Sequence, residues 1–193
     1  NNTLCKADLS EVLNIWSGLG YYSRARNIHR CSSIVNRDYN NSFPDTEMDL
    51  LKLPGIGSYT AAAILAIAFN KRAVVIDGNI KRVISRLFFL EKPIKENYKQ
   101  IWKFTDLITP YSRVGDFAQS LMDLGSQVCT PLRPKCDQSP IIEECLSKNN
   151  ECENIIPKKV KKIKKPFRNG SSFIIIRNQK VLIYKRLDRG LLA

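Results

Sequence analysis

Three groups of residues have types and spacings suited to chemistry. The first is Leu53-Pro54-Gly55-Ile56-Gly57, a turn directly ahead of a run of small and aliphatic residues from Ser58 to Phe69. Glycines there remove the Cβ atoms that would block close approach, and the first N–H groups of the following helix are unpaired, so a phosphate fits. An ordinary capping turn explains the same residues equally well. The second group is Asp77-Gly78-Asn79, starting 22 residues after Gly55, behind the apolar run Ala73–Ile76 and ahead of Lys81, Arg82 and Arg86. Read alone, Asp77 is a helix cap or turn residue. The third is Cys129, Cys136, Cys145 and Cys152, crowded into one segment, with Cys5 and Cys31 far away. A chain of this size does not need a disulfide framework, so the crowding suggests a metal or cluster in a reducing compartment, with scattered free thiols as the alternative.

The elements that must position these groups are helical. From residue 9 to 126, the stretches LSEVLNIW, RARNIHRCSSIVN, TEMDLLKL, YTAAAILAIAF, IKRVISRLFFL, NYKQIWKFTDLI and VGDFAQSLMDLGSQV repeat apolar residues at three- and four-residue intervals. Asp8 or Ser10, Ser58, Asp77 and Asn79 stand where helix caps are wanted, and Pro44, Pro54, Pro93 and Pro110 fall between helices. His29, the only histidine, is expected on a helix surface without a catalytic role. From Pro157 the composition shifts to PKKVKKIKKPFR, a solvated basic linker, and SSFIIIRNQKVLIYKR then reads as two strands turning at Asn178-Gln179.

With 193 residues the chain can bury one good core or two small ones. Its 31 Lys and Arg against 18 Asp and Glu, a net charge of +13, call for a polyanionic partner, with nucleic acid leading. There is no apolar run of membrane-spanning length and no basic-then-apolar leader, so neither a membrane span nor a signal peptide is expected. The start lacks Met, and the true N-terminus is expected to lie upstream.

A phosphate-clamping hairpin, a helix of small residues and a carboxylate opening the next helix together resemble the helix-hairpin-helix DNA glycosylases. WSGLGYYSRARNIHR (16–30), FPDTEMDLLKLPGIGSYTAAAILAIAF (43–69) and IDGNIKRVISRLF (76–88) are similar, in order, to motifs of the adenine DNA glycosylase family, MutY. NGSSFIIIRNQKVLIYKRLDRGLLA resembles the start of that family's C-terminal lesion-recognition domain. The implied fold is mainly α: a helical glycosylase domain (1–127), a cysteine-cluster loop (128–153), a basic linker (154–170) and the beginning of a Nudix-like α+β domain (171–193).

The resemblance also implies roles. Asp77 would stabilise the positive charge that develops on the sugar as adenine leaves, with Asn79 and Tyr59 positioning carboxylate and water. In the lyase relative endonuclease III, a lysine holds the position of Tyr59. A tyrosine implies base hydrolysis without strand cleavage, unless Lys52, Lys71 or Lys81 supplies an amine. Gly55, Gly57, Arg24 and Arg26 would hold DNA backbone, Tyr21 would insert beside the lesion base, Tyr22 would pack the helix junction, and Arg82 would order the loop or meet a phosphate. The implied partner is double-stranded DNA with adenine opposite 8-oxoguanine or guanine, bound by a monomer inside the cell, in the cytoplasm or nucleoid if bacterial.

Two departures from the family pattern stand out. The glutamate acid expected ahead of GLGYY has no counterpart, Glu11 matching a non-catalytic position, so this polypeptide alone is expected to turn over little. The family's four cysteines, separated by six, two and five residues, hold a 4Fe-4S cluster. Here Cys129, Cys136 and Cys145 match while Ser139 replaces the third. A cluster with Ser139 or another ligand, recruitment of Cys152, no cluster, and zinc all stay open. Rival functions are a thymine-mismatch glycosylase, a lyase and a non-catalytic DNA-binding module.

Overall fold

The computed structural model describes residues 2–160, 166, 167, 169–171 and 173–183. Lysines 161, 162, 164 and 165, Arg168 and everything after residue 183 lie outside them, as do residues 172 and 184–193 of the expected Nudix-like segment. Helix α1 (Asn2–Lys6) precedes α2 (Leu9–Ile15). The start of α2 is set by a reciprocal cap: Ser10 N donates to Asp8 Oδ1 at 2.7 Å and Asp8 N donates to Glu11 Oε2 at 3.3 Å. Glu11 is thereby occupied locally.

Helix α3 (Tyr22–Asp38) follows, then α4 (Glu47–Leu50), capped by Thr46, and the glycine turn. Next come α5 (Ser58–Ala63), which widens into a π turn over Ile64–Ala68, and α6 (Gly78–Leu87). After α7 (Tyr98–Ile108), helix α8 (Val114–Asp123) also ends in a π turn, Leu124–Val128, which delivers the chain to Cys129. A 3₁₀ turn (Cys136–Gln138) and α9 (Leu146–Asn149) shape the cysteine loop. The expected hairpin forms as short strands β1 (Ile176–Arg177) and β2 (Lys180–Val181), Ile176 opposite Val181, with positive φ at Asn178 and Gln179.

The small-residue run of α5 has a packing reason. Ala61 and Leu65 face one buried cluster with Cys31, Val35, Leu50 and Leu53, while Ala62 and Ala66 face another with Ile76, Ile80, Val83, Ile84 and Ile101. The helix is wedged between two cores, so bulk on either face has nowhere to go. Its widened end meets Gly115 of α8, where an added Cβ would stand 2.8 Å from Ala66 O.

Two expectations need correction. His29 is not on an open surface: it is half-buried, and its Nε2 lies 3.0 Å from Ala7 O, fastening the turn before α2 onto α3. The linker does not begin at residue 154. Ile156 is buried, its carbonyl accepting from Arg86 Nε at 2.9 Å, so the chain leaves the folded body only after it.

Candidate active site

The hairpin is built by a tight turn. Pro54 supplies the fixed φ, Gly55 the positive φ of 84°, and Ile56 N donates to Leu53 O at 3.2 Å. Gly55 has a second reason to be glycine, since an added Cβ would lie 2.9 Å from Asn27 Cβ. Gly57, extended and capping α5, faces open space. Gly55 and Arg24 line one groove of ≈ 420 Å³ with Asn27, Ile28 and Phe43, so two of the expected backbone-binding residues share a surface. Tyr21 stands at the head of α3 in the left-handed region (φ 46°) and is 80% exposed, whereas Tyr22 turns inward and its hydroxyl accepts from Gly18 N at 3.2 Å. Arg24 lies over the Trp16 ring, 5.7 Å from its centroid; Arg26 is half-buried.

Asp77 caps α6. Ile80 N donates to its Oδ1 at 2.7 Å and Asn79 Nδ2 donates to its Oδ2 at 3.2 Å, which fixes the carboxylate at a half-buried helix start. Asn79 Oδ1 in turn accepts from Arg82 at 2.9 Å. Arg82 also donates to Cys129 O at 2.7 Å and to Gly125 O. Its guanidinium is thus turned to protein acceptors, the arrangement of a loop organiser, and burial pulls its pKa down.

Gly125 is a close neighbour of the candidate site that sequence reasoning missed. A Cβ there would stand 2.6 Å from Asn79 Cβ, so the π turn after α8 presses its backbone directly on the residue that braces Asp77. Gly125→Ala is expected to destabilise the fold by about 1–3 kcal/mol through overpacking, read as a lower denaturant midpoint with an unchanged m-value. Three residues earlier, Met122 Sδ accepts from the Tyr59 hydroxyl at 3.8 Å. Tyr59 makes no hydrogen bond to Asp77 among the described residues; the segment Met122–Gly125 backs Tyr59 at one end and Asn79 at the other. Tyr59 is 44% exposed and lines a groove of ≈ 420 Å³ with Glu47, Arg72, Trp102 and Asp106.

Cys129, Cys136, Cys145 and Ser139 all line one cavity below α6, while Cys152 lies outside its lining. Arg86, only 2% exposed, governs the spot: it donates to Cys129 Sγ at 3.2 Å, to Thr130 O at 2.8 Å and to Ile156 O, and its own carbonyl lies 3.7 Å from Cys145 Sγ. Burial, then the nearby Glu153 carboxylate, raises the Cys136 thiol pKa. Among the described residues no three His, Cys, Asp or Glu side chains are arranged to hold a metal ion. The donor set does suit an iron-sulfur group, because three thiols share the cavity with an orphaned buried carboxylate oxygen, Glu153 Oε2.

A hairpin between short helices, followed by a carboxylate-capped helix and a cysteine loop, defines a class of base-excision repair fold. The chain matches the family described as HhH-GPD superfamily base excision DNA repair protein over residues 2–106, and it belongs to that family. It is 38% identical over 191 residues to the adenine DNA glycosylase of Buchnera aphidicola subsp. Baizongia pistaciae, covering 98% of this chain and 54% of that protein. It is 36% identical to the adenine DNA glycosylase of Arabidopsis thaliana, covering 95% of this chain and 31% of that protein. The chain thus spans about half the length of the first of these relatives, and less of the second. Among solved structures, a thermostable thymine-DNA glycosylase superposes with a TM-score of 0.69 at 29% identity, covering 77% of this chain and 70% of that one. Endonuclease III in a non-covalent DNA complex gives 0.63 at 25% identity, covering 78% and 70%.

Proposed function

We propose that the protein is a monofunctional DNA glycosylase that hydrolyses the N-glycosidic bond of adenine mispaired with 8-oxoguanine or guanine. The observation that carries this reading is the Asp77 carboxylate, fixed by Ile80 N and Asn79 at the start of α6, with Gly125 packed against Asn79. As adenine departs from an extruded nucleotide, positive charge spreads over the sugar. A carboxylate held in place before the reaction stabilises that charge without reorganising. Asn79 keeps the carboxylate oriented, and Tyr59 helps to place the water.

The absence of strand cleavage follows from Tyr59 and from where the amines lie. Lys52 Nζ is paired with Asp49 at 2.8 Å and Lys71 Nζ with Asp45 at 2.6 Å, while Lys81 sits over the Tyr98 ring. The hydrogen bond and charge of Asp49 raise the Lys52 pKa. Borohydride reduction during turnover is therefore expected to trap no covalent protein–DNA adduct. A trapped adduct that disappears on mutation of one of these lysines would refute the monofunctional assignment.

Gly55, Gly57, Arg24 and Arg26 would hold the backbone, and exposed Tyr21 would enter the stack beside the lesion base. Cys129, Cys136 and Cys145 would hold a 4Fe-4S cluster; when bound it cross-links the loop and so fixes the basic segment Pro131–Lys135 against DNA. The remaining domain would read the lesion, and the protein would act inside the cell as a monomer. Residues 1–193 by themselves are expected to turn over little, since Glu11 is committed to the α2 cap and no other acid is assigned to protonate adenine. The test is excision from A·8-oxoguanine, A·G and T·G duplexes by the full-length protein and by residues 1–193. Full adenine turnover by 1–193 would sink the inactivity; thymine release with adenine untouched would favour the thymine-mismatch reading suggested by the 0.69 superposition.

A further inference from the structure

The cysteine cavity contains a fifth donor that the spacing of its cysteines does not announce. Glu153 lines the same cavity as Cys129, Cys136, Ser139 and Cys145, and its side chain is only 14% exposed. One oxygen, Oε1, lies 3.5 Å from Lys148 Nζ; the other, Oε2, is buried without a hydrogen-bond partner. A buried carboxylate oxygen left unpaired is costly, and a fold keeps one only where something else satisfies it.

The other candidates for a fourth donor are worse placed. Ser139 Oγ already accepts from Ile141 N at 3.4 Å, and a serine must shed its hydroxyl proton to bind iron as an anion, whereas a glutamate ordinarily carries its charge at neutral pH. Cys152 lies outside the cavity lining; its backbone is tied into turns, its N–H donating to Ser147 O and its carbonyl accepting from Ile155 N and Ile156 N. A single ion needs its ligands to converge on one point, which these side chains do not do; a four-iron cluster takes one ligand at each of four separated corners. The enclosed space of that cavity is ≈ 30 Å³.

We infer that Glu153 is the fourth ligand of the iron-sulfur cluster, its Oε2 binding the iron that Ser139 leaves without a thiolate. The inference rests on the cluster proposed above and replaces the Ser139 and Cys152 alternatives with a carboxylate. Lys148 neutralises part of the charge that the extra anion brings.

The test is anaerobic reconstitution of the chain with ferrous iron and sulfide, followed by iron and acid-labile sulfide analysis and EPR spectroscopy of the oxidised sample. The parent is expected to bind about four irons per chain and to give no three-iron signal. Glu153→Gln is expected to retain about three, with a three-iron EPR signal, while Ser139→Ala and Cys152→Ser keep about four. Glu153→Cys, which restores an anionic ligand, is expected to keep about four and controls for a folding defect in the Gln variant. Full iron in Glu153→Gln, or loss of one iron in Ser139→Ala or Cys152→Ser, would overturn the assignment. If the parent takes up neither iron nor sulfide, the cluster and this ligand fail together, while the glycosylase reading stands or falls separately on Asp77.

Discussion

Asp77→Asn in the full-length protein is expected to slow single-turnover release of adenine by about 10³-fold, equivalent to about 4 kcal/mol of lost transition-state stabilisation. The substitution is nearly isosteric, and asparagine is as good a helix cap as aspartate, so Ile80 N keeps its acceptor and α6 keeps its start. What disappears is the negative charge of the carboxylate, the feature that the proposed mechanism needs. Affinity for the mismatched duplex is expected to stay within about threefold, because the residues proposed to hold the backbone, at the hairpin and along α3, do not include this side chain. Quench-flow on a labelled A·8-oxoguanine duplex measures the rate, and fluorescence anisotropy measures the binding. A variant that loses affinity and rate together would indicate that Asp77 serves the fold; one that loses neither would leave a DNA-binding module as the better description.

The second large effect concerns Arg86. This side chain is buried and joins three parts of the chain: α6, which carries it, the cysteine loop through Thr130 O and Cys129 Sγ, and the last buried residue before the linker through Ile156 O. Arg86→Met would keep most of the packing volume and leave those two backbone carbonyls without their donor. Each buried unpaired carbonyl costs about 1–3 kcal/mol, so the total is expected near 3–5 kcal/mol. For a chain of this length that corresponds to a thermal midpoint lower by about 10 °C. Arg86→Lys should recover only part of the loss, since an ammonium keeps the charge and cannot reproduce the guanidinium fork. Calorimetry on parent and both variants decides the matter: a midpoint within about 2 °C of the parent for Arg86→Met would show that the carbonyls find other donors.

The two variants probe opposite ends of one helix. Asp77 starts α6 and Arg86 stands in its last turn, with Arg82 between them holding Asn79 and the Gly125 and Cys129 carbonyls. A disturbance of the cysteine loop can therefore reach the carboxylate through a single rigid element. That geometry links the loop to the carboxylate proposed as catalytic through Arg82 and Asn79.

Much of this was readable in the amino-acid order alone, because caps, turns and helical periodicity are decided by residues a few positions apart. Pro54-Gly55 dictated the hairpin, Asp77 the start of α6, Asp8 and Glu11 the start of α2, and Asn178-Gln179 the strand turn. Only the tertiary structure decided that Gly125 backs Asn79, that Arg82 is occupied by protein carbonyls, that Ile156 is buried under Arg86, and that Glu153 rather than Cys152 shares the cavity with three thiols. Each of the first three pairings joins residues more than forty positions apart, and the last depends on how a loop closes on α6. Neither leaves a local pattern, since such contacts are selected by the fit of whole helices against one another.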